Sequence, residues 1–394
     1  MPQRIYSKPL ATGLVVLTML CVLPSTVSTQ PDTFTLSLTG QAMIRSDIRV
    51  HTPQVVSTWA PLLKADVVFT NFEATIAKPE QSLNEGRLLA PPAALESLKA
   101  IGFNLLSLAN NHAWDLKAVG IQSTLKEVER LGIAHAGTGN TLQEAAAPAY
   151  MKTPKGTVAL VAIASGLVAD GAAATPTRPG VNELRVAGEK PHAEDANRIL
   201  NSIREARNKA DFVIVYQHNH VFGDVPFGTM MLEELPERLG PADWLKAWTH
   251  SEIDAGADLI VMHGAPIVHG LELYRGKPIF FDLGNFFFQY PPARVSLDEP
   301  IIWESVVASV EYRAKQLHSI KFRPLAINKL GQGQADTHDE HTNNLFLQTR
   351  GLPAPVKGEQ ARFILQRLAN ASKAFGTTVN VSGDMAEVVL KPGS

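Results

Sequence analysis

The chain has 394 residues, a formal net charge of -2 and a pI near 6.6. Hydrophobic residues make up 45% and charged ones 19%, the balance of an ordinary folded protein rather than a disordered one. Nothing in such a charge suggests a surface for tracking a phosphate backbone, and nucleic acid is set aside as a partner.

The first segment stands apart. Arg4 and Lys8 precede an apolar run from Leu10 to Leu23, closed by Pro24 and a small, polar stretch ending near Ser28. A run of about fourteen residues is too short for a spanning helix, which needs roughly 17–25, but suits the core of a signal peptide. The expectation is a signal peptide over 1–29, cut between Thr26 and Gln30, with an uncleaved anchor as the alternative. One domain then fills 30–394. Cys21 is the only cysteine and lies in the leader, after Met19 and Leu20, which do not fit a lipoprotein cleavage site. The mature chain therefore has no disulfide and no thiolate, and a metal site would use His, Asn, Asp and Glu.

In chain order, Phe34–Thr39 reads as a strand and Gln41–Ile44 as a turn. Pro53–Lys64 reads as a helix, Asp66–Phe72 as a β-branched strand and Ala77–Ala90 as a loop. A helix at Pro91–Ile101, opening on prolines, leads into an apolar strand from Phe103. That strand ends in Asn110, Asn111 and His112, and Asp115 opens a helix running to Leu131 and stopped by Gly132. Thr157–Ala164 is a strand, Ser165–Glu189 a long loop and His192–Lys209 a helix. Asp211–Tyr216 is a strand ending in Gln217, His218, Asn219 and His220. Gly223–Gly240 is irregular, Pro241–Ala255 helical, and Asp258–Met262 a strand ending at His263. Pro278–Leu283 is a strand, Ser305–Tyr312 and Leu317–Phe322 a hairpin, and Ala335–Leu345 an exposed loop. Glu359–Phe375 is a last helix before a short strand at Thr378–Val381. Alternating strands and helices predict a layered α/β domain with added antiparallel strands.

The chemistry gathers at the carboxyl ends of strands, where open α/β sheets place their sites. Glu73, Asn111 with His112, His218 and His263 each follow an apolar run. Alone, each has a plainer reading: turn asparagines, a solvated carboxylate, a hydrogen-bonded loop histidine, a core histidine. Their recurrence after so many strands points instead to a divalent metal such as Zn, Mn or Fe, held by two imidazoles, a carboxylate and an amide oxygen. His112 would act as a general acid, and Asp115, three residues on, would either cap the following helix or orient His112.

FTLSLTGQAMI, DVVFTNFEA, LLSLANNHAWD, VYQHNH and GADLIVMHGAPIVHGLELYRGKPIFFDLGNFFFQ resemble, in order, the blocks of the CapA family. That family is named for poly-γ-glutamate capsule synthesis and belongs to the metallophosphatase-like superfamily. The late RFILQRLANASKAFGT is similar to the tail of one branch, so the resemblance runs from about Phe34 to Val381. It implies a four-layer α/β/β/α sandwich with a metal centre at the strand ends. Carried over by position, Glu73 would be the bridging carboxylate, Asn111, His218 and His263 would ligate one metal, and His112 would donate a proton.

The sequence departs from that pattern at the other metal. Gln41 stands where most members have aspartate, and Pro266 where the block His-Gly-Pro-His has its second histidine. The expectation is a site reduced to one divalent ion, or to none; the alternative is that His220, His269 or Asp282 replaces the lost ligands. Two readings follow from the resemblance. One is an exported, metal-dependent hydrolase of a phosphoester or amide bond, working on poly-γ-glutamate or another envelope polymer with capsule-synthesis membrane proteins as partners. The other is a non-catalytic envelope protein that binds an anionic polymer and assists capsule assembly or export.

Overall fold

The computed structural model describes residues 1–5, 33–77, 88–222, 241–290, 299–333 and 345–390. The apolar leader and most of the expected loops at Ala77–Ala90, Gly223–Gly240 and Ala335–Leu345 lie outside these residues. Among the described residues no helix is long and apolar enough to cross a membrane.

The main elements are β1 (Thr33–Leu38), α1 (Pro53–Leu62), β2 (Val67–Asn71), α2 (Pro92–Ile101), β3 (Leu105–Ser107), α3 (Lys117–Leu131), β4 (Ala134–Ala136), β5 (Ala149–Thr153) and β6 (Gly156–Ser165). They continue through α4 (Ala193–Lys209), β7 (Phe212–Asn219), α5 (Asp243–Ala255), β8 (Leu259–His263), β9 (Leu271–Tyr274), β10 (Lys277–Phe280), β11 (Glu304–Arg313), β12 (Gln316–Ile327), α6 (Gly358–Lys373), β13 (Val379–Ser382) and β14 (Met385–Val388). They build two large mixed sheets. The first runs β13-β14-β12-β11-β1-β2-β3-β4, with Pro353–Pro355 added beside β12. Its β1 to β4 are parallel, and the β11–β12 hairpin joins β1 antiparallel, as the alternation in Ser305–Phe322 predicted. The second runs β9-β10-β8-β7-β6-β5, parallel through β6, β7, β8 and β10.

The period-2 alternation of the second sheet decides what each face buries. Leu160, Ala162, Ile214, Tyr216 and Val261 join the core shared with the first sheet. Val161, Ile163, Val213, Val215 and Ile260 turn the other way and pack against Ile199 and Ile203 of α4 and Trp244 and Trp248 of α5. The sheets meet face to face through rings: Phe69 on Tyr216 at 5.6 Å, Phe34 on Phe212 at 5.2 Å and Phe280 on Phe322 at 6.2 Å between centroids. Burial of both faces explains why the parallel strands are runs of Val, Ile, Leu and Ala without alternation in polarity. On the first sheet, Trp59 of α1 is fully buried, edge-on to Phe286, and donates its indole N–H to Pro353 O at 2.9 Å.

Three expectations change. Gln41–Ile44 is not a simple turn: Gln41–Met43 is a short strand paired in parallel with Asn285–Phe288. No local signal reveals it, because Gln41 and Asn285 are 244 residues apart. β7 does not end at Tyr216 but runs on to Asn219, because its polar end is paired on both sides, Asn219 with Ser165 and His218 with His263. The segment Ser165–Glu189 carries short pairings, Gly180–Val181 with Thr138–Gly139 and Val186–Ala187 with Lys190–Pro191. The edge strands β4, β5 and β9, and β14 between β13 and β12, were not foreseen, since short strands carry little pattern of their own. Gly132 does stop α3, in a left-handed conformation with φ 65°.

Candidate metal centre

Glu73 leaves β2 and is 1% exposed, with its main-chain N–H bonded to Ala42 O. Asn111 and His112 leave β3 in a loop that Asn110 pins. The Asn110 amide donates to Phe72 O at 2.8 Å and its oxygen accepts from the His112 main-chain N–H at 3.0 Å. Thr75 Oγ1 donates to His112 O at 2.6 Å, closing the loop from the other side. β7 and β8 bring His218 and His263 from the second sheet, paired in register, so their side chains leave on one face.

The ends of both sheets meet at His218. Its Nε2 lies 2.9 Å from Asn111 Oδ1, 2.9 Å from His220 Nε2 and 3.8 Å from Glu73 Oε1. Glu73, His218 and His220 each offer a ligand atom within 4.8 Å of the others. His220 thus joins the group, two residues after His218. Alternation along the strand offers it only as a substitute for a lost ligand. His263 is on the neighbouring strand with its ring 5.4 Å from Tyr216, outside that tight trio.

Burial dominates the electrostatics. It pushes the Glu73 carboxyl well above the usual range, with the negative charge of Asp115 adding to the effect. It drives His218 well below the ordinary imidazole value, helped by His220, His263 and His112, and holds His220 and His263 at about 3. Among the described residues Glu73 Oε2 and both ring nitrogens of His263 lack a hydrogen-bond partner of good geometry. Buried polar atoms are rarely left so. Neutral imidazole nitrogens, an amide oxygen and a buried carboxylate gathered around His218 are a donor set that suits a divalent transition ion, whose charge would favour the ionised carboxylate.

The two departures from the family pattern share one partner. Gln41 Nε2 donates to Asn285 Oδ1 at 2.9 Å, while Asn285 Nδ2 donates to Pro266 O at 3.5 Å. A neutral amide link therefore joins the two positions at which the resemblance implied lost ligands. His269 and Asp282 line a cavity of about 20 Å³ beside His263, room for one water-sized group. The His269 N–H bonds to Asp282 O, and Asp282 Oδ1 accepts from Gly284 N at 2.7 Å. Neither belongs to the trio.

His112 Nδ1 is 3.0 Å from Asp115 Oδ2, the orienting contact. The capping alternative for Asp115 is corrected: the residue before α3 is Leu116, with no side-chain cap, because Oδ2 of Asp115 is engaged with Leu88 N at 2.7 Å.

The sequence profile of the bacterial capsule synthesis proteins PGA_cap matches residues 35–290. The chain belongs to the CapA family. An uncharacterized protein of Sinorhizobium fredii is 27% identical over 455 residues, 91% of this chain and 93% of that one. The capsule biosynthesis protein CapA of Bacillus anthracis is 28% identical over 269 residues, 64% of this chain and 59% of its own. The PGA biosynthesis protein CapA of Bacillus subtilis is 27% identical over 275 residues, 67% of this chain and 66% of its own. The CapA profile spans Glu73, Asn111, His112, His218, His220 and His263 together.

Proposed function

We propose that this CapA-family chain is an exported accessory protein of capsule or poly-γ-glutamate-type polymer synthesis, a leader at 1–29 followed by one domain over 30–394. We assign that domain the four-layer α/β/β/α architecture of metallo-dependent phosphatases, on the face-to-face sheets with α4 and α5 outside the second. Its site binds one divalent ion and hydrolyses a phosphoester or an amide bond of an envelope polymer. The observation that carries this reading is the convergence of Asn111 Oδ1, Glu73 Oε1 and His220 Nε2 on His218 Nε2.

Glu73, Asn111, His218 and His220 would hold the ion, with His263 adjacent. A divalent cation there supplies a Lewis acid for a phosphoryl or carbonyl oxygen. The chain's own part in the reaction lies with His112. Asp115 holds its Nδ1, which leaves Nε2 to pass a proton to the leaving group. The fixed loop at Asn110 and Thr75 keeps that ring in place.

The neutral link Gln41–Asn285–Pro266 favours a second reading, a non-catalytic member that binds an anionic polymer and assists its assembly with membrane-bound capsule machinery. Elemental analysis separates the two. Purified protein is equilibrated with Mn, Fe or Zn and compared with a His218→Ala, His263→Ala variant. About one equivalent in the wild type, lost in the variant, supports the one-metal site and warrants a screen of phosphoesters and amides. Two equivalents would mean that His269 or Asp282 completes a second position. No bound metal removes the hydrolase reading and leaves the assembly protein.

A further inference from the structure

Behind the histidines, on the opposite face of β7, lies a continuous chain of buried polar side chains. Trp248 of α5 donates its indole N–H to Gln217 Oε1 at 2.9 Å. Gln217 Nε2 donates to Ser165 Oγ at 2.8 Å, and Ser165 Oγ donates to Asn219 Oδ1 at 2.7 Å. Asn219 then clasps the main chain beyond His220: its Nδ2 donates to Val221 O at 3.1 Å and its Oδ1 accepts from Val221 N at 3.3 Å. The main-chain N–H of His220 itself donates to Ser165 O at 2.7 Å. Gln217 and Ser165 are fully buried, Asn219 is 2% and Trp248 5% exposed.

This face is otherwise apolar, filled by Val213, Val215, Val161 and Ile163. Hydrophobic side chains of similar shape would cover it with little loss of stability, since a matched pair of hydrogen-bonding partners replaced together is close to neutral. A polar chain there contributes direction. Alternation places Gln217 and Asn219 on this face and His218 and His220 on the other, so whatever fixes the former fixes the latter. The histidine at position 220 lies just past the last paired residue of β7, where the backbone would otherwise be free to swing.

We infer that Trp248, Gln217, Ser165 and Asn219 are positioning residues for the His218–His220 pair, holding the two Nε2 atoms at the spacing a single ion requires. The inference rests on the one-metal reading. Outer groups that orient ligands in this way typically contribute 10–100-fold in metal affinity.

The test is the dissociation constant for Mn or Zn of the full chain, measured by competition with a chelating dye, beside the melting temperature of the metal-free protein. Two changes probe the chain: Ser165→Ala, which removes its centre, and Trp248→Phe, which deletes one N–H and keeps the ring packing. Affinity should fall by about 10–100-fold for Ser165→Ala and less for Trp248→Phe, and metal-free melting should fall as well, because each change strands a buried partner. Ser165→Thr, which keeps the hydroxyl, should restore binding. Unchanged affinity in both variants, or lower melting without weaker binding, overturns the positioning role and leaves the one-metal reading standing. No metal binding by the wild type overturns both. If Ser165→Ala does not fold, Trp248→Phe against wild type decides alone.

Discussion

His218 and His220 face each other through Nε2 at 2.9 Å, a separation at which one nitrogen must carry the only proton between them. The other nitrogen of His218, Nδ1, is 3.3 Å from the Tyr216 hydroxyl, which can donate to it or accept from it. The imidazole can therefore turn Nε2 into a bare donor by shifting its proton to Nδ1, as a metal-ligating histidine with an outer partner does. His218 lies within β7 and His220 just past its end at Asn219, so alternation along the strand brings the i, i+2 pair to one side.

The first prediction concerns that pair. His220→Ala should weaken divalent-metal binding by about 10-fold or more, and His269→Ala, outside the trio, should leave it close to wild type. Isothermal titration with Zn or Mn checks both. Equal losses in the two variants would place the ion nearer His263 and the small cavity.

His112 is expected to act in turnover and not in metal retention. In any hydrolysis assay to which the wild type responds, His112→Ala should lower kcat by about 10²–10⁴-fold with metal content unchanged. Asp115→Asn should give a smaller loss and a changed pH profile, since it keeps a polar contact but removes the charge that orients the ring. Steady-state kinetics across pH with parallel metal analysis reads out both.

Glu252 of α5 is fully buried, and neither carboxylate oxygen has a hydrogen-bond partner among the described residues. Burial pushes its carboxyl well above the usual range, opposed by Trp248, whose indole N–H also serves Gln217. The sign follows. The unfolded chain releases this proton at the ordinary glutamate value while the folded chain keeps it, so stability falls as pH rises between the two. Glu252→Met should stabilise the fold near neutral pH by on the order of 1–3 kcal/mol, and the gain should shrink as pH falls toward the ordinary carboxylate range. Urea unfolding near neutral pH and near pH 5 tests this; a gain that grows on acidification would contradict it.

Gly264 follows His263 with φ 137°, and a Cβ there would sit 1.8 Å from Asn219 O. Gly264→Ala must move either the end of β7 or the turn after β8. A loss of about 3 kcal/mol or more is expected, together with weakened metal binding. Thermal melts with metal titration check both, and a near-neutral result would mean that the turn is softer than its packing implies.

Much of this was legible in the residues. The alternation of strand and helix, the β11–β12 hairpin, the Gly132 stop and the placing of Glu73, Asn111, His218 and His263 at strand ends all follow from local pattern, because hydrophobic period and turn chemistry act within a few residues. The Gln41–Met43 strand and the continuation of β7 through Asn219 were not, because their pairing partners lie far along the chain, whereas β5, β9 and β14 pair with the strand next to them in sequence and were missed because short strands carry little pattern of their own. Asp115 is instructive: its type suited a cap, and only the approach of Leu88 assigned its oxygen elsewhere.

The sequence by itself determined the family, the layered α/β class and the ligand types available, since these depend on residue identity and short-range order. Only the tertiary structure decided which donors meet. His220 rather than His263 closes on His218 and Glu73, and Gln41 and Pro266 are joined through Asn285. Distances between side chains on different strands are set by sheet register and by the packing of one sheet on another, and neither is written in any single stretch of the chain.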